Sequence, residues 1–330
     1  MKKKRFSSRL TVSLILTMMA LFAVGACASF DKTPDRTPKK TFVLVHGAWH
    51  GGWAWERMVP YLTNAGYKIF TPTLTGLGEK ANLATPDVGL NTHIQDILAL
   101  FEKENLRDVV LVGHSYSGLV ISGVGEKAPE RISHLVYLDC YVPKDGQSLA
   151  DFVGPQGMSI LREVAKAVGQ GWLIPSFPVE RFGIVSEADI AWVKPKLVPQ
   201  PIKTFEEPVR LTNPASASLP HTYIYLTKPA MATAEEFKKG LRGTVFEGFA
   251  KMAQSSKDWG YYELETGHDA MVLEPKNLAE LLMKIADEVR KEKQQEKRKI
   301  EGNSFLDMQE ELLEGYVYKV FVSQISTSNR

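Results

Sequence analysis

Residues Val109–Gly118 read VVLVGHSYSG. An aliphatic run breaks off into Gly-His-Ser-Tyr-Ser-Gly, which leaves Ser115 just past a strand and fenced by small residues. An ordinary turn serine is the plain alternative. In G-x-S-x-G, however, the serine sits on a strained strand-to-helix turn and its hydroxyl projects at the top of a sheet. The surrounding chain decides between the two.

Upstream, TFVLVHG (Thr41–Gly47) is a short buried strand. WAWERMVPYLTNAG (Trp53–Gly66) predicts a helix closed by Gly66, with Pro60 as a kink, and YKIFTPTL (Tyr67–Leu74) a second strand. NTHIQDILALFEKENL (Asn91–Leu106) carries Ile94, Ile97, Leu98 and Phe101 at helical spacing behind an Asn91 cap. After the quoted stretch come a helix from Gly118 to Pro129 and a strand in ISHLVYLDCYVP (Ile132–Pro143). Nearly all-apolar strands alternating with helices predict an α/β fold with a mostly parallel central sheet covered on both faces. From Lys144 to Pro220 the alternation stops. Helical pieces and prolines without a clear strand predict an inserted helical cap. Alternation resumes with HTYIYLT (His221–Thr227), a helix over Thr233–Gln254, the strand WGYYELE (Trp259–Glu265), the loop TGHDAMVLEP (Thr266–Pro275) and a helix over Lys276–Lys293. The domain is thus expected over 41–293, with the cap at about 144–220. Residues 294–330, charged and then amphipathic, form an extension to which the sequence assigns no role.

With 44% hydrophobic and 24% charged residues in 330, the chain has material for an enzyme-sized core. A net charge of +2 gives no global case for nucleic acid. Residues 1–27 read as a signal peptide: a basic start, an apolar run from Thr11 to Val24, and the small-residue exit GACAS. Val24-Gly25-Ala26-Cys27 resembles a bacterial lipobox, in which Cys27 is acylated. Cleavage after Ala28, at an A-x-A site, is the alternative. Residues 28–40 are a polar linker. The expected location is the bacterial cell envelope, either lipid-anchored on a membrane face or periplasmic. With Cys27 acylated or removed, Cys140 has no disulfide partner and reads as a buried small hydrophobe.

A serine hydroxyl needs a base, a group that orients the base, and donors where oxyanion charge develops. LVHGAWHGGW (Leu44–Trp53) supplies a glycine-rich donor loop after the first strand. His268, in ETGHDAM, follows the last strand. The order of serine before histidine is that of α/β-hydrolases. His46-Gly47-Ala48-Trp49-His50-Gly51-Gly52-Trp53, Gly113-His114-Ser115-Tyr116 and Gly267-His268 resemble the α/β-hydrolase superfamily. Within it they are most similar to the small esterases of the plant methylesterase and hydroxynitrile lyase group and their bacterial relatives. The resemblance implies a carboxylesterase acting on small apolar esters, with no metal or organic cofactor. It implies Ser115 as nucleophile, His268 as base, and the backbone N–H groups of Ala48 and Tyr116 as oxyanion donors. Trp49 and Trp53 are candidates to line the acyl pocket.

Two departures stand out. The second glycine of the elbow is Ser117, and the aspartate the family carries after HTYIYLT is replaced by Lys228-Pro229-Ala230-Met231. The strand ending in Asp139 should lie beside the nucleophile strand, with Asp139 at its carboxyl end. Asp139 is therefore the expected triad acid. A turn-capping aspartate is its plain alternative, and Glu235, Glu236 and Asp269 stand in reserve. His114 is expected to turn away from the nucleophile, and His46 and His50 to shape their loop. Two rival functions remain. A hydroxynitrile lyase is argued against by Gly47 and Asp269, where that branch has threonine and lysine. A non-catalytic binding protein would be argued for only by the missing aspartate.

Overall fold

A computed structural model describes residues 39–228, 246–295 and 298. The signal segment, Cys27, Glu235, Glu236 and nearly all of the 294–330 extension lie outside the described residues. Among these residues six strands form one sheet: β1 (Thr41–Val45), β2 (Lys68–Phe70), β3 (Val109–His114), β4 (Ile132–Leu138), and, beyond the cap region, His221–Leu226 and Trp259–Leu264. Within the cap region lie two further two-residue strands, β5 (Leu173–Ile174) and β6 (Gln200–Pro201), so the last two sheet strands are β7 and β8. The sheet order is β2-β1-β3-β4-β7-β8, and every neighbouring pair is parallel. β3 and β4 are buried along their whole length, as all-apolar strands in a parallel sheet must be.

This order positions the site. The chain runs from β1 outward to β2 and then returns to lay β3 on the other side of β1, which makes β1/β3 the switch point where loops diverge and a crevice opens. Val45 lies opposite Gly113, and His114 opposite Leu138. The loop after β1, the turn after β3 and the residue after β4 therefore emerge side by side.

Several elements depart from expectation. The helix predicted over Trp53–Gly66 is a 3₁₀ turn (Gly52–Trp55) followed by α1 (Val59–Asn64), because Pro60 can only sit in the first turn of the second piece. The second strand stops at Phe70, ahead of Pro72, which has no N–H for a ladder. Helix α2 (Leu90–Lys103) begins before Asn91, which lies inside it. Its amino end is held instead by Glu207, whose carboxylate accepts from the Asn91 N–H at 2.9 Å and from the Asn91 amide at 2.8 Å. Helix α3 (Ser117–Lys127) packs on α2. The loop expected over Thr266–Pro275 contains a helical turn, Ala270–Leu273, and residues 275–295 form a helix.

The cap region begins with α4 (Leu149–Val168), broken at Gly154, whose φ is +77°, and Pro155. It is not wholly helical: β5 and β6 pair antiparallel. That pair is fastened to the loop after β1. The Trp49 indole donates to Ile174 O and the Trp49 N–H to Gln200 Oε1, each at 3.0 Å, while Val198 N–H donates to Trp49 O at 3.0 Å. Among the described residues no helix is long and apolar enough to cross a membrane.

Candidate active site

Ser115 sits between β3 and α3 with φ +56°, a left-handed conformation that serine adopts only where neighbours enforce it. Those neighbours are visible. Ser115 N–H donates to Leu138 O at 3.2 Å, and Ser115 O accepts from Tyr141 N–H at 3.3 Å, so the turn is held to the end of β4 from both sides. Gly118 is required by contact: a Cβ there would lie 2.0 Å from Tyr141 O. Ser117, in place of the usual glycine, is fully buried and useful. Its Oγ accepts from the His114 N–H at 2.7 Å and reaches Val45 O and His114 O at 2.9 Å, tying β1, β3 and the elbow together.

Across the switch point, the loop after β1 brings Ala48 beside Tyr116. Both border the same cavity as Ser115. Neither backbone N–H donates a hydrogen bond among the described residues, nor does the Ser115 hydroxyl. The loop's shape is set by its histidines. His46 accepts from Leu74 N–H at Nε2 (3.1 Å), so its Nδ1 carries the hydrogen and donates to Gly47 O at 2.8 Å. Burial drives this ring down to about 3, which keeps it neutral. His50 Nδ1 lies 2.7 Å from Ala48 O. The carbonyls on both sides of the Ala48 N–H–bearing stretch are thus held.

His268 follows β8. Its Nδ1 is 2.7 Å from Asp139 Oδ2, and both side chains are buried. Asp139 also has a left-handed φ of +45°, and its Oδ1 lies 3.5 Å from Leu226 N–H. Burial raises its carboxyl above the ordinary carboxylate range, opposed by the hydrogen bond and charge of His268. The His268 ring lies flat on Phe246, with centroids 5.0 Å apart and planes 7° apart. His114 does not approach Ser115 as a base. Its Nε2–H donates to His268 O at 2.9 Å, and burial holds it well below the usual histidine range.

The cavity in front of Ser115 has a volume of about 470 Å³, within the usual range for small-molecule sites. Its walls are mostly apolar and aromatic, with Trp49, Tyr141, Leu161 and Phe205 prominent. Trp53, expected there with Trp49, is elsewhere. It borders a separate cleft with Thr71, Gly78 and Lys196, stacking on His50 at 5.2 Å and meeting Trp192 edge-on at 5.5 Å. The cause is the loop geometry. Trp49 has φ +65°, which turns it toward the cap, whereas Trp53 lies within the 3₁₀ turn that follows His50. The reading of the sequence missed Tyr141, Phe177 and Phe205 as wall residues. They come from the carboxyl end of β4 and from the cap, and no local motif marks them. Asp269 is not paired with His268: its Oδ2 meets His50 Nε2 at 3.0 Å. Cys140 is buried, its thiol donates to Gly113 O at 2.9 Å, and burial pushes its pKa well up. Among the described residues no group of histidine, cysteine, aspartate and glutamate is disposed to hold a metal ion.

A serine on a strained turn, a buried imidazole–carboxylate pair and open backbone donors at the carboxyl edge of a parallel sheet are the working parts of a serine hydrolase. The chain belongs to the alpha/beta hydrolase family, whose model matches residues 42–281. It is 38% identical over 254 residues to a carbendazim hydrolyzing esterase of Nocardioides sp. (strain SG-4G), spanning 73% of this chain and 97% of that protein. Methylesterase 2 of Arabidopsis thaliana is 24% identical over 270 residues, 76% of this chain and 97% of the relative. Among solved structures, an extracellular alpha/beta-hydrolase from a Paenibacillus species matches with a TM-score of 0.61 at 25% identity, covering 74% of this chain and 98% of that one. The protein is a carboxylic ester hydrolase.

Proposed function

We propose that Ser115, His268 and Asp139 are the catalytic triad of this esterase, and that Ala48 and Tyr116 supply its oxyanion hole. The observation that carries the reading is the 2.7 Å contact between His268 Nδ1 and the buried Asp139 carboxylate, one strand away from Ser115. With Nδ1–H donated to Asp139, Nε2 is the bare nitrogen and can accept the Ser115 proton. Ser115 Oγ attacks the ester carbonyl. The oxygen takes the negative charge and is met by the N–H groups of Ala48 and Tyr116, which have no other partner among the described residues. His268 passes the proton to the leaving alcohol. Water then repeats the sequence on the acyl-enzyme. Serine–histidine contacts often tighten only once substrate is bound, so an unengaged Ser115 hydroxyl is compatible with this scheme.

The aromatic and aliphatic walls favour a flat, apolar acyl group on a small ester. The similarity to the carbendazim hydrolyzing esterase of Nocardioides supports carbendazim as one such substrate. A lyase reading is disfavoured by contact as well as by sequence. A Cβ at Gly47 would lie 2.9 Å from His114 Nδ1 and 3.2 Å from Ser115 Cβ, so the threonine of the lyase branch has no room. We further propose export to the cell envelope with acylation at Cys27, on the strength of the lipobox-like Val24–Cys27. Loss of detergent-phase partitioning in Cys27→Ala tests that part. The enzymatic part is tested with a graded panel of p-nitrophenyl and aryl carbamate esters against wild type and Ser115→Ala. Turnover of small apolar esters that vanishes in the variant is expected, and turnover surviving the substitution contradicts it.

A further inference from the structure

A second buried imidazole–carboxylate pair lies beside the first. His50 and Asp269 are 2% and 0% exposed, and join the loop after β1 to the loop after β8 through the 3.0 Å contact of Nε2 with Oδ2. His50 Nδ1 faces Ala48 O at 2.7 Å. A carbonyl only accepts, so Nδ1 carries a hydrogen. Nε2 faces a carboxylate oxygen, and two bare lone pairs at that distance repel. One further proton must therefore lie between His50 and Asp269, whichever atom holds it. The pair is then electrically neutral as a unit, the condition under which burying it is tolerable. Among the described residues Asp269 Oδ1 has no hydrogen-bond partner, so this shared proton is the main compensation for its burial.

We propose that His50 and Asp269 are positioning residues that lock the oxyanion donor of Ala48 to the loop carrying His268, and that the lock holds only while the pair keeps its shared proton. The inference rests on the triad reading above. Asp269 adjoins His268 in sequence, and its own N–H donates to Phe182 O at 3.0 Å, so any shift of Asp269 moves the base. His50 is fixed in turn by stacking on Trp53 at 5.2 Å and by an edge contact with Phe182 at 5.4 Å. Among the described residues the other ionisable groups around the pair are few. His114 Nε2 lies 4.0 Å from Asp269 Oδ1, and His46 stands on the same loop as His50. Burial holds both of these neutral, so neither loses a proton on the alkaline side. His268 with Asp139 is next along the chain. Arg57 donates to Val272 O in the helical turn after Asp269. For His50 itself, burial works to lower the pKa, but the charge and hydrogen bond of Asp269 with the Ala48 contact outweigh it, and the net direction is upward. Loss of the proton should therefore come at a higher pH than for a free histidine. It leaves a bare Nε2 facing a buried carboxylate, and the two loops part.

The test measures kcat and KM for a p-nitrophenyl ester from neutral to alkaline pH, together with fluorophosphonate labelling of Ser115. It uses the full-length protein as wild type, Asp269→Ala, Asp269→Asn and His50→Gln. Asp269→Ala breaks the lock, and His50→Gln keeps an amide toward Asp269 but drops the Ala48 bond. Displacements of about an ångström at reacting groups cost roughly a hundredfold, so both should lower kcat by about 10- to 100-fold with KM little changed. Asp269→Asn can donate its amide N–H to a bare Nε2 and so restores the link without a titrating proton. It should recover most of the lost kcat and abolish the alkaline fall expected of wild type. Wild-type kcat in both Asp269→Ala and His50→Gln would overturn the proposal. So would an asparagine variant as impaired as the alanine one that keeps the wild-type alkaline limb. If the alanine variant does not fold, the other two carry the same decision. Wild type that fluorophosphonate does not label at Ser115 overturns the triad reading itself, a result distinct from labelled variants with unaltered kinetics.

Discussion

Replacing Asp139 by asparagine changes one atom type at the centre of the proposed mechanism, and its cost can be worked from the structure. The carboxylate oxygen lies 2.7 Å from His268 Nδ1. During acylation His268 becomes an imidazolium facing that oxygen. At an effective dielectric of about 20, two unit charges at this separation attract by about 6 kcal/mol. That is roughly 10⁴- to 10⁵-fold in rate at about 1.4 kcal/mol per decade. The tautomer pushes the same way. The carbonyl oxygen of the substituted amide can still accept from the Leu226 N–H, as Asp139 Oδ1 does at 3.5 Å, which leaves the amide NH₂ facing His268. Nδ1 must then accept, Nε2 must carry the hydrogen, and the base can no longer take a proton from Ser115. The serine-protease precedent for the equivalent substitution is a loss of about 10⁴ in kcat. The assay is steady-state hydrolysis of p-nitrophenyl acetate at saturating substrate, with circular dichroism confirming an unaltered fold. A folded Asp139→Asn enzyme within about a hundredfold of wild-type kcat would refute the reasoning. Retention of activity there, with loss in Glu235→Gln or Glu236→Gln, would place the acid outside the described residues.

Other consequences are open to measurement. Gly118→Ala should unfold well below wild type or fail to fold, since its Cβ would sit 2.0 Å from Tyr141 O; an unchanged Tm would contradict the tight crossing. Ser117→Ala strands the buried His114 N–H and should cost about 1–3 kcal/mol in denaturant unfolding, and a neutral result would mean that Oγ is not the tie described. His93, His134 and His221 are each pushed down by burial to about 4. An unfolded histidine titrates near 6.5, so between about 6.5 and 4 the unfolded chain binds more protons. Stability is therefore complete above that window and is lost as pH falls through it. Thermal unfolding should show Tm dropping there, and a flat profile would contradict it. Cys140 should resist iodoacetamide in the native enzyme and react after unfolding; stoichiometric native labelling would show a thiol far more accessible than its burial allows.

What was legible in the sequence, and what was not, follows from the range of the interactions. The Ser115 turn is encoded within ten residues, because a left-handed serine needs small neighbours immediately around it. The parallel sheet is encoded in aliphatic runs such as Val109–Val112, and strand adjacency after α3 brings Asp139 to the same edge as Ser115. A carboxylate at the end of an otherwise apolar strand was itself a sign that a partner waits there. The sequence could not show that Asp269 pairs with His50, because 219 residues separate them and neither sits in a periodic element. It could not separate Trp49 from Trp53 either. Both are aromatic and four apart, and the positive φ at Trp49 sends them to opposite sides of His50. The short β5–β6 pair was equally hidden, since two-residue strands carry no alternation to detect.

The central claim, that Ser115 carries the acyl group, is tested most directly by trapping the intermediate. A p-nitrophenyl ester with a slowly hydrolysed acyl group is mixed with enzyme, quenched in acid, digested and analysed by mass spectrometry. The account predicts one acyl adduct, on the peptide containing Gly113-His114-Ser115-Tyr116 and fragmenting to Ser115, with no adduct in Ser115→Ala. An adduct on another residue, or steady turnover of the same ester by Ser115→Ala, would contradict it.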